Sequence, residues 1–203
     1  ELNLTPKLLN QHSEPPWLLN NSSFILSMMD LPKTTTSHNI YRQIFNNITD
    51  FYVGHNWNLI FTDGSKCIEH TTFATVTQDG KPINTGYIDN YCSIFTAEAS
   101  ALYAAIEFAS VNNHNFIICT DSLSSIRAIQ NSLYESPVIS HIRNTFIKHA
   151  HKIKIMWVPS HVGIPGNELA DLEAAESNRR PLIKLTTYET RDFLKTYTLI
   201  WYR

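Results

Sequence analysis

From residue 57 onward the hydrophobic period of this 203-residue chain changes in a fixed order, and that order restricts the fold more tightly than any composition value. Up to Ile88 the apolar residues form short runs or alternate, which is strand behaviour, beginning with Leu59-Ile60-Phe61. Thr71 to Gln78 alternates and is rich in Thr, Phe and Val; Lys81 to Ile88 returns after Asp79-Gly80. That dipeptide suits the two positive-φ positions of a tight hairpin, so three antiparallel strands are expected. From Thr96 the period becomes helical, with Ala99, Leu102, Ile106 and Ala109 on one face. Phe116 to Thr120 is again of strand length, and Leu123, Ile126, Ile129 and Leu133 follow at helical spacing. After Pro137, Ile139, Ile142 and Phe146 continue helically; Ile153 to Val158 is a further strand, and a helix from Asn167 turns Leu169, Leu172 and Ala175 inward. The order β-β-β-α-β-α-α-β-α describes a mixed five-stranded α/β sheet. Its helix-linked strands are parallel, and right-handed crossovers place helices on both faces.

Residues 57–180 therefore form the main domain. Residues 1–56, with Pro6, Pro15-Pro16 and Pro32 among many Asn, Ser and Thr, are expected to be a connector carrying one short helix. Ser37 is placed to cap that helix, and Ile40, Ile44, Ile48 and Phe51 form a stripe that docks on the main domain. Residues 181–203 predict a C-terminal helical extension, opened by a capping box of Thr186 and Glu189. Neither a membrane span nor a signal peptide is expected, since no apolar run reaches about 18 residues. Cys67, Cys92 and Cys119 are odd in number and scattered, which suits reduced thiols inside the cell.

Four acids stand where these elements gather side chains. Asp63 ends the first strand, where Asp63-Gly64-Ser65 predicts a sharp turn, and Asp121 ends the fourth. Glu98 lies in the first turn of the first helix after the hairpin strands, and Asp171 lies early in the helix from Asn167. Ligands of such sheets bind beyond the C-terminal ends of parallel strands. Clustered carboxylates repel and hold protons unless cations neutralise them. Oxygen ligands without Cys or His suit a hard ion, Mg²⁺ or Mn²⁺, and two such ions serve phosphoryl displacement. Each acid alone has a plainer role: Asp63 as a turn former, Asp121 as a helix cap. Glu107, Glu135, Glu173 and Glu176 fit solvated helix faces. Charge is a constraint here, because nine Lys/Arg stand against twelve Asp/Glu over residues 57–180. A nucleic-acid enzyme with that balance needs bound cations or help from more chain. His141, Arg143, Lys148, His149, His151, Lys152 and Lys154 offer a diffuse basic surface at best.

TDGS (62–65), TAEASAL (96–102), TDS (120–122) and PSHVGIPGNELAD (159–171), in this order, resemble the ribonuclease H family. The resemblance covers about residues 57–178. It implies an endonuclease that cuts the RNA strand of an RNA–DNA hybrid, with two Mg²⁺ ions held by Asp63, Glu98, Asp121 and Asp171. The family's loop histidine falls on His161, and Ser65, Thr96, Ser122 and Asn167 fall where sugar or phosphate is bonded. Glu98 in the family also meets the 2′-hydroxyl that separates RNA from DNA. The lead-in (PPW, Leu31-Pro32-Lys33, Tyr41-Arg42-Gln43-Ile44-Phe45) resembles the segment between reverse transcriptase and ribonuclease H in some non-LTR retrotransposon polyproteins. Two departures stand out: Cys67-Ile68-Glu69-His70 replaces the usual glycines after DGS, and Phe95 replaces an Asn before Glu98. The rival expectation is a catalytically silent module that only binds nucleic acid or protein.

Overall fold

The computed structural model describes residues 18–134 and 136–176. The expected C-terminal extension, Glu135, and the prolines before residue 18 lie outside the described residues. The sheet has six strands, not five. The added strand is a two-residue piece, Phe24–Ile25 (β1), pairing in parallel with Ile153–Trp157 (β6). Two residues in an Asn/Ser-rich stretch have no period to read. What fixes β1 is packing: Phe24 is buried and meets Phe146 edge-on, with ring centroids 5.3 Å apart, and the strand covers the edge of β6.

The helix His38–Val53 (α1) precedes Trp57–Lys66 (β2), Thr71–Thr77 (β3) and Pro82–Ile88 (β4). These three strands are antiparallel, as expected. The first hairpin differs from the sequence reading, because β2 runs straight through Asp63-Gly64-Ser65 to Lys66. Asp63 pairs with Ala74 inside the ladder, and the chain turns at Cys67–His70, closed by the Cys67 N–H donating to the His70 carbonyl at 2.9 Å. In the second turn only Gly80 has positive φ (77°); Asp79 does not. A single left-handed glycine ends this turn, and the Thr77 N–H donates across it to the Lys81 carbonyl at 2.9 Å.

Ile94–Val111 (α2) crosses one face and leads to Asn115–Thr120 (β5), which lies parallel between β2 and β6. Leu123–Gln130 (α3) and Pro137–Lys148 (α4) follow, then β6 and Pro165–Glu176 (α5). The strand order is β1-β6-β5-β2-β3-β4. Ile60, Ile118 and Ile155 point to the face covered by α2, α3 and α4, while Phe61, Cys119 and Met156 point to the face covered by α1 and α5. Among the described residues α2 alone is long and apolar enough to cross a membrane by length and composition, but its alanines, Leu102 and Ile106 are buried against the sheet.

Three predicted faces are displaced. In α1 the buried residues are Tyr41, Phe45 and Thr49, whereas Ile40 and Phe51 are exposed. Ser37 precedes α1 without a side-chain capping bond. In α5 the buried residues are Gly166, Asn167, Ala170 and Ala174, and Leu169, Leu172 and Ala175 face outward. The helix approaches the sheet so closely that only small side chains fit beneath it. Leu133 falls beyond the end of α3 and is exposed. The diffuse basic surface does not form either. Arg143 is buried and donates to the carbonyls of Ala128, Ile129 and Asn131, satisfying the C-terminus of α3. Lys152 does the same for Ser110 and Asn112 at the end of α2, and Lys154 donates to Ser22 and stands over the Tyr52 and Trp57 rings.

Candidate active site

Asp63 is carried on the middle strand β2 with only 9 % of its surface exposed. Its Oδ1 accepts the Gly64 N–H at 2.8 Å. Burial first, then the charge of Asp121, pushes its carboxyl up to about 8; Asp171 and Glu98 add to the rise, and the Gly64 bond opposes it. Asp121 follows β5, the parallel neighbour of β2. Burial raises its carboxyl also, against a hydrogen bond from Asn167 and the nearby His161.

Glu98 is one turn into α2, later than expected because the helix starts at Ile94 with Ser93 as its cap. Gly64 makes its approach possible: a Cβ there would stand 2.7 Å from the Glu98 nitrogen and 2.9 Å from the Ala97 Cβ. The glycine of the DGS motif is thus a packing requirement, not a turn. The Glu98 Oε2 accepts the Ser122 hydroxyl and, at 3.4 Å, the Ser124 hydroxyl. Burial raises the Glu98 carboxyl and these two bonds offset part of the rise.

Asp171 lies in the second turn of α5. Here again a glycine sets the distance, since a Cβ on Gly166 would fall 2.2 Å from the Phe61 ring. The Asp171 Oδ2 is 3.8 Å from Nδ1 of His161, whose side chain is 70 % exposed. Ligand atoms of His161, Glu168 and Asp171 all lie within 4.8 Å of one another. That trio is the tightest such group among the described residues; the expected four carboxylates act on one another through charge rather than direct contact.

The other candidates divide. Ser65 is half-buried on β2 and Thr96 shares its hydroxyl with Ser93 at 3.1 Å. Ser122 is buried, caps α3 by accepting the Ser125 N–H, and holds Glu98. Asn167 is buried, and its Oδ1 has no partner. Glu107 is not a free helix face: it accepts from His141 at 3.0 Å and Thr145 at 3.3 Å, joining α2 to α4. Two neighbours of these residues were given no role by the sequence reading. Ser124 sits two residues beyond the TDS motif, and Glu168, three before Asp171, accepts the Gly163 N–H at 3.1 Å. Ser124 also borders a cleft of about 340 Å³ with Phe95, Arg127, Asn131 and Tyr134.

The model of the RNase H family matches residues 55–179, more than half of the chain. The chain belongs to the RNase H family. No curated protein matches it. RNase H enzymes act on RNA–DNA hybrids and generally use divalent metal ions, and the mixed sheet with antiparallel β2-β3-β4 has the RNase H fold. The residues present fit such an ion. Hard oxygen donors converge, three of the carboxyls are pushed toward the proton-bound form by burial first and by neighbouring acids, and Asn167 Oδ1 is an orphaned acceptor among them.

Proposed function

We propose that this chain is an endonuclease that hydrolyses the RNA strand of RNA–DNA hybrids with two divalent ions, leaving 5′-phosphate and 3′-hydroxyl ends. The observation that carries the reading is the crowding of Asp121, Asp171 and Glu98, from three other parts of the fold, around the buried carboxyl of Asp63. A protein that merely bound nucleic acid gains nothing from clustered negative charge facing phosphate. Asp63, Glu98, Asp121 and Asp171 would hold Mg²⁺ or Mn²⁺, which when bound supplies an activated water and neutralises the leaving oxygen. The bond between phosphorus and the 3′-oxygen breaks, the water oxygen stays on the 5′-phosphate, and the 3′-oxygen takes a proton. His161, exposed and beside Asp171, is suited to move that proton through solvent.

Ser122 and Ser124 fix the Glu98 carboxylate from which a 2′-hydroxyl would be met, so Ser122 serves the nucleic acid through Glu98. Asn167 likewise orients Asp121. Ser65 and Thr96 border the same mouth as sugar or phosphate contacts. The cleft beyond Ser124 offers the tilted Phe95 and Tyr134 rings, 6.0 Å apart, as a surface for bases or sugars. The lead-in sequence supports an origin beside a reverse transcriptase domain in a retroelement polyprotein.

The decisive experiment compares labelled RNA–DNA hybrid, double-stranded RNA, double-stranded DNA and single strands, with Mg²⁺ and with chelator. Cleavage confined to the hybrid's RNA strand in Mg²⁺ is expected, with at least about 10³-fold loss in Asp63→Asn. Normal turnover by that variant would falsify the metal assignment.

A further inference from the structure

The family match begins at residue 55, yet the loop that carries His161 is held by residues before it. His161 has φ of 54°, a left-handed conformation that costs a non-glycine residue on the order of 1 kcal/mol and persists only where neighbours enforce it. Those neighbours are identifiable one loop residue at a time. Val162 and Ile164 are buried in one cluster with Tyr41 and Phe45 of α1 and with Met28. The Ser160 hydroxyl accepts from Lys33 Nζ at 3.0 Å. Gly163, at φ 78°, lies under Arg42: a Cβ there would stand 3.4 Å from the guanidinium Nη1. Tyr41 in turn donates to the Leu31 carbonyl at 2.8 Å, tying the segment that carries Lys33 to the helix that carries Arg42. Held on both sides, the loop leaves the imidazole of His161 facing solvent beside Asp171.

We infer that Lys33 and Arg42, outside the matched residues, are positioning residues for His161, and that α1 with its lead-in forms one wall of the catalytic site. Both side chains are exposed and, among the described residues, neither is ion-paired, so their removal spares the core. They act on the loop backbone, through the Ser160 hydroxyl and the face of Gly163, rather than on the substrate. Positioning of this kind lowers turnover when lost and leaves ground-state binding alone. The inference rests on His161 belonging to the site.

The experiment is a mutant cycle on the full chain, with thermal unfolding confirming an unchanged fold. Lys33→Ala with Arg42→Ala is expected to lower kcat about fivefold and to leave KM for hybrid within about twofold, while Arg42→Lys keeps at least about half of the turnover. In a His161→Ala background the same pair is expected to cost nothing further, because coupled groups are non-additive. Without metal or substrate, hydrogen exchange of the Gly163 amide is expected to quicken about tenfold in the double variant. A rise in KM at constant kcat, or an equal loss in the His161→Ala background, overturns the inference and makes the two cations phosphate contacts. Unchanged exchange at Gly163 overturns it as well. Failure of the proposed function shows differently, as no hybrid cleavage by the unaltered chain, and the exchange measurement still decides the brace.

Discussion

Asp63 illustrates how the proposed catalytic role opposes stability within one residue. Its carboxyl is pushed up to about 8 from an ordinary 3.8 by burial and by neighbouring acids. The folded protein therefore holds a proton there that the unfolded chain has lost, throughout the window between those values. Stability of the metal-free protein accordingly falls as pH rises from about 4 to about 8, by at most about 1.4 kcal/mol for each pH unit crossed. Asp63→Asn keeps the shape and removes the charge. In chelator at pH 8 it is expected to melt at least about 4 °C above the unaltered protein, with the gap closing toward pH 4. Calorimetry across that range checks this, and equal melting at pH 8 would mean that burial and the neighbouring acids do not hold that proton. His161 is the complementary case, a residue whose backbone strain is legible only in coordinates. Its sequence place announces a loop histidine, but nothing in the motif reveals that Lys33 and Arg42 meet its neighbours Ser160 and Gly163.

At the scale of elements, the sequence period located nearly every helix and strand but not how closely they pack. α5 is the clearest example. Leucines at helical spacing suggest an inward stripe, yet Leu169 and Leu172 face out because Gly166 and Ala170 let the helix lie against Phe61. A two-residue strand such as β1 leaves no period at all. Gly166→Ala tests the close approach: the added methyl meets a buried ring that has nowhere to move, and a loss of about 2–3 kcal/mol is expected in denaturant unfolding. A smaller loss than about 0.5 kcal/mol would show that α5 can retreat, carrying Asp171 with it. The α2–α4 contact makes a second test. The bond from His141 is the main cause holding the Glu107 carboxyl below its ordinary 4.5, with burial opposing. A depressed acid stabilises the fold above its ordinary value and loses that contribution as pH falls through the lowered one. Glu107→Gln is therefore expected to melt earlier than the unaltered protein at pH 6, with a smaller difference at about pH 3. A constant difference at both values would assign the effect to shape instead of charge.

For the whole molecule the governing quantity is charge. The segment 57–180 is net acidic, and the fold consumes several of its cations internally: Arg143 and Lys152 on helix ends, Lys154 on Ser22 and two rings, Lys81 on Asp79 at 2.7 Å. Sequence counting alone offers a diffuse basic surface at best. Exposed Lys66 is bonded to the Asn90 and Cys92 carbonyls, which leaves Lys33 and Arg42, engaged with the His161 loop, and Arg127, beside the Ser124 cleft, as the exposed cations next to the site. Each phosphate neutralised contributes a slope of about −0.9 to log K against log salt on duplex nucleic acid. A hybrid held through at most three such contacts should then show a slope no steeper than about −3, measured by fluorescence anisotropy with Asp63→Asn protein in Ca²⁺. Arg127→Ala is expected to flatten that slope by about one unit. A slope near −8 would mean that phosphates are gripped by residues other than these, and that the acidic balance of the described residues is offset by basic surface elsewhere in the chain.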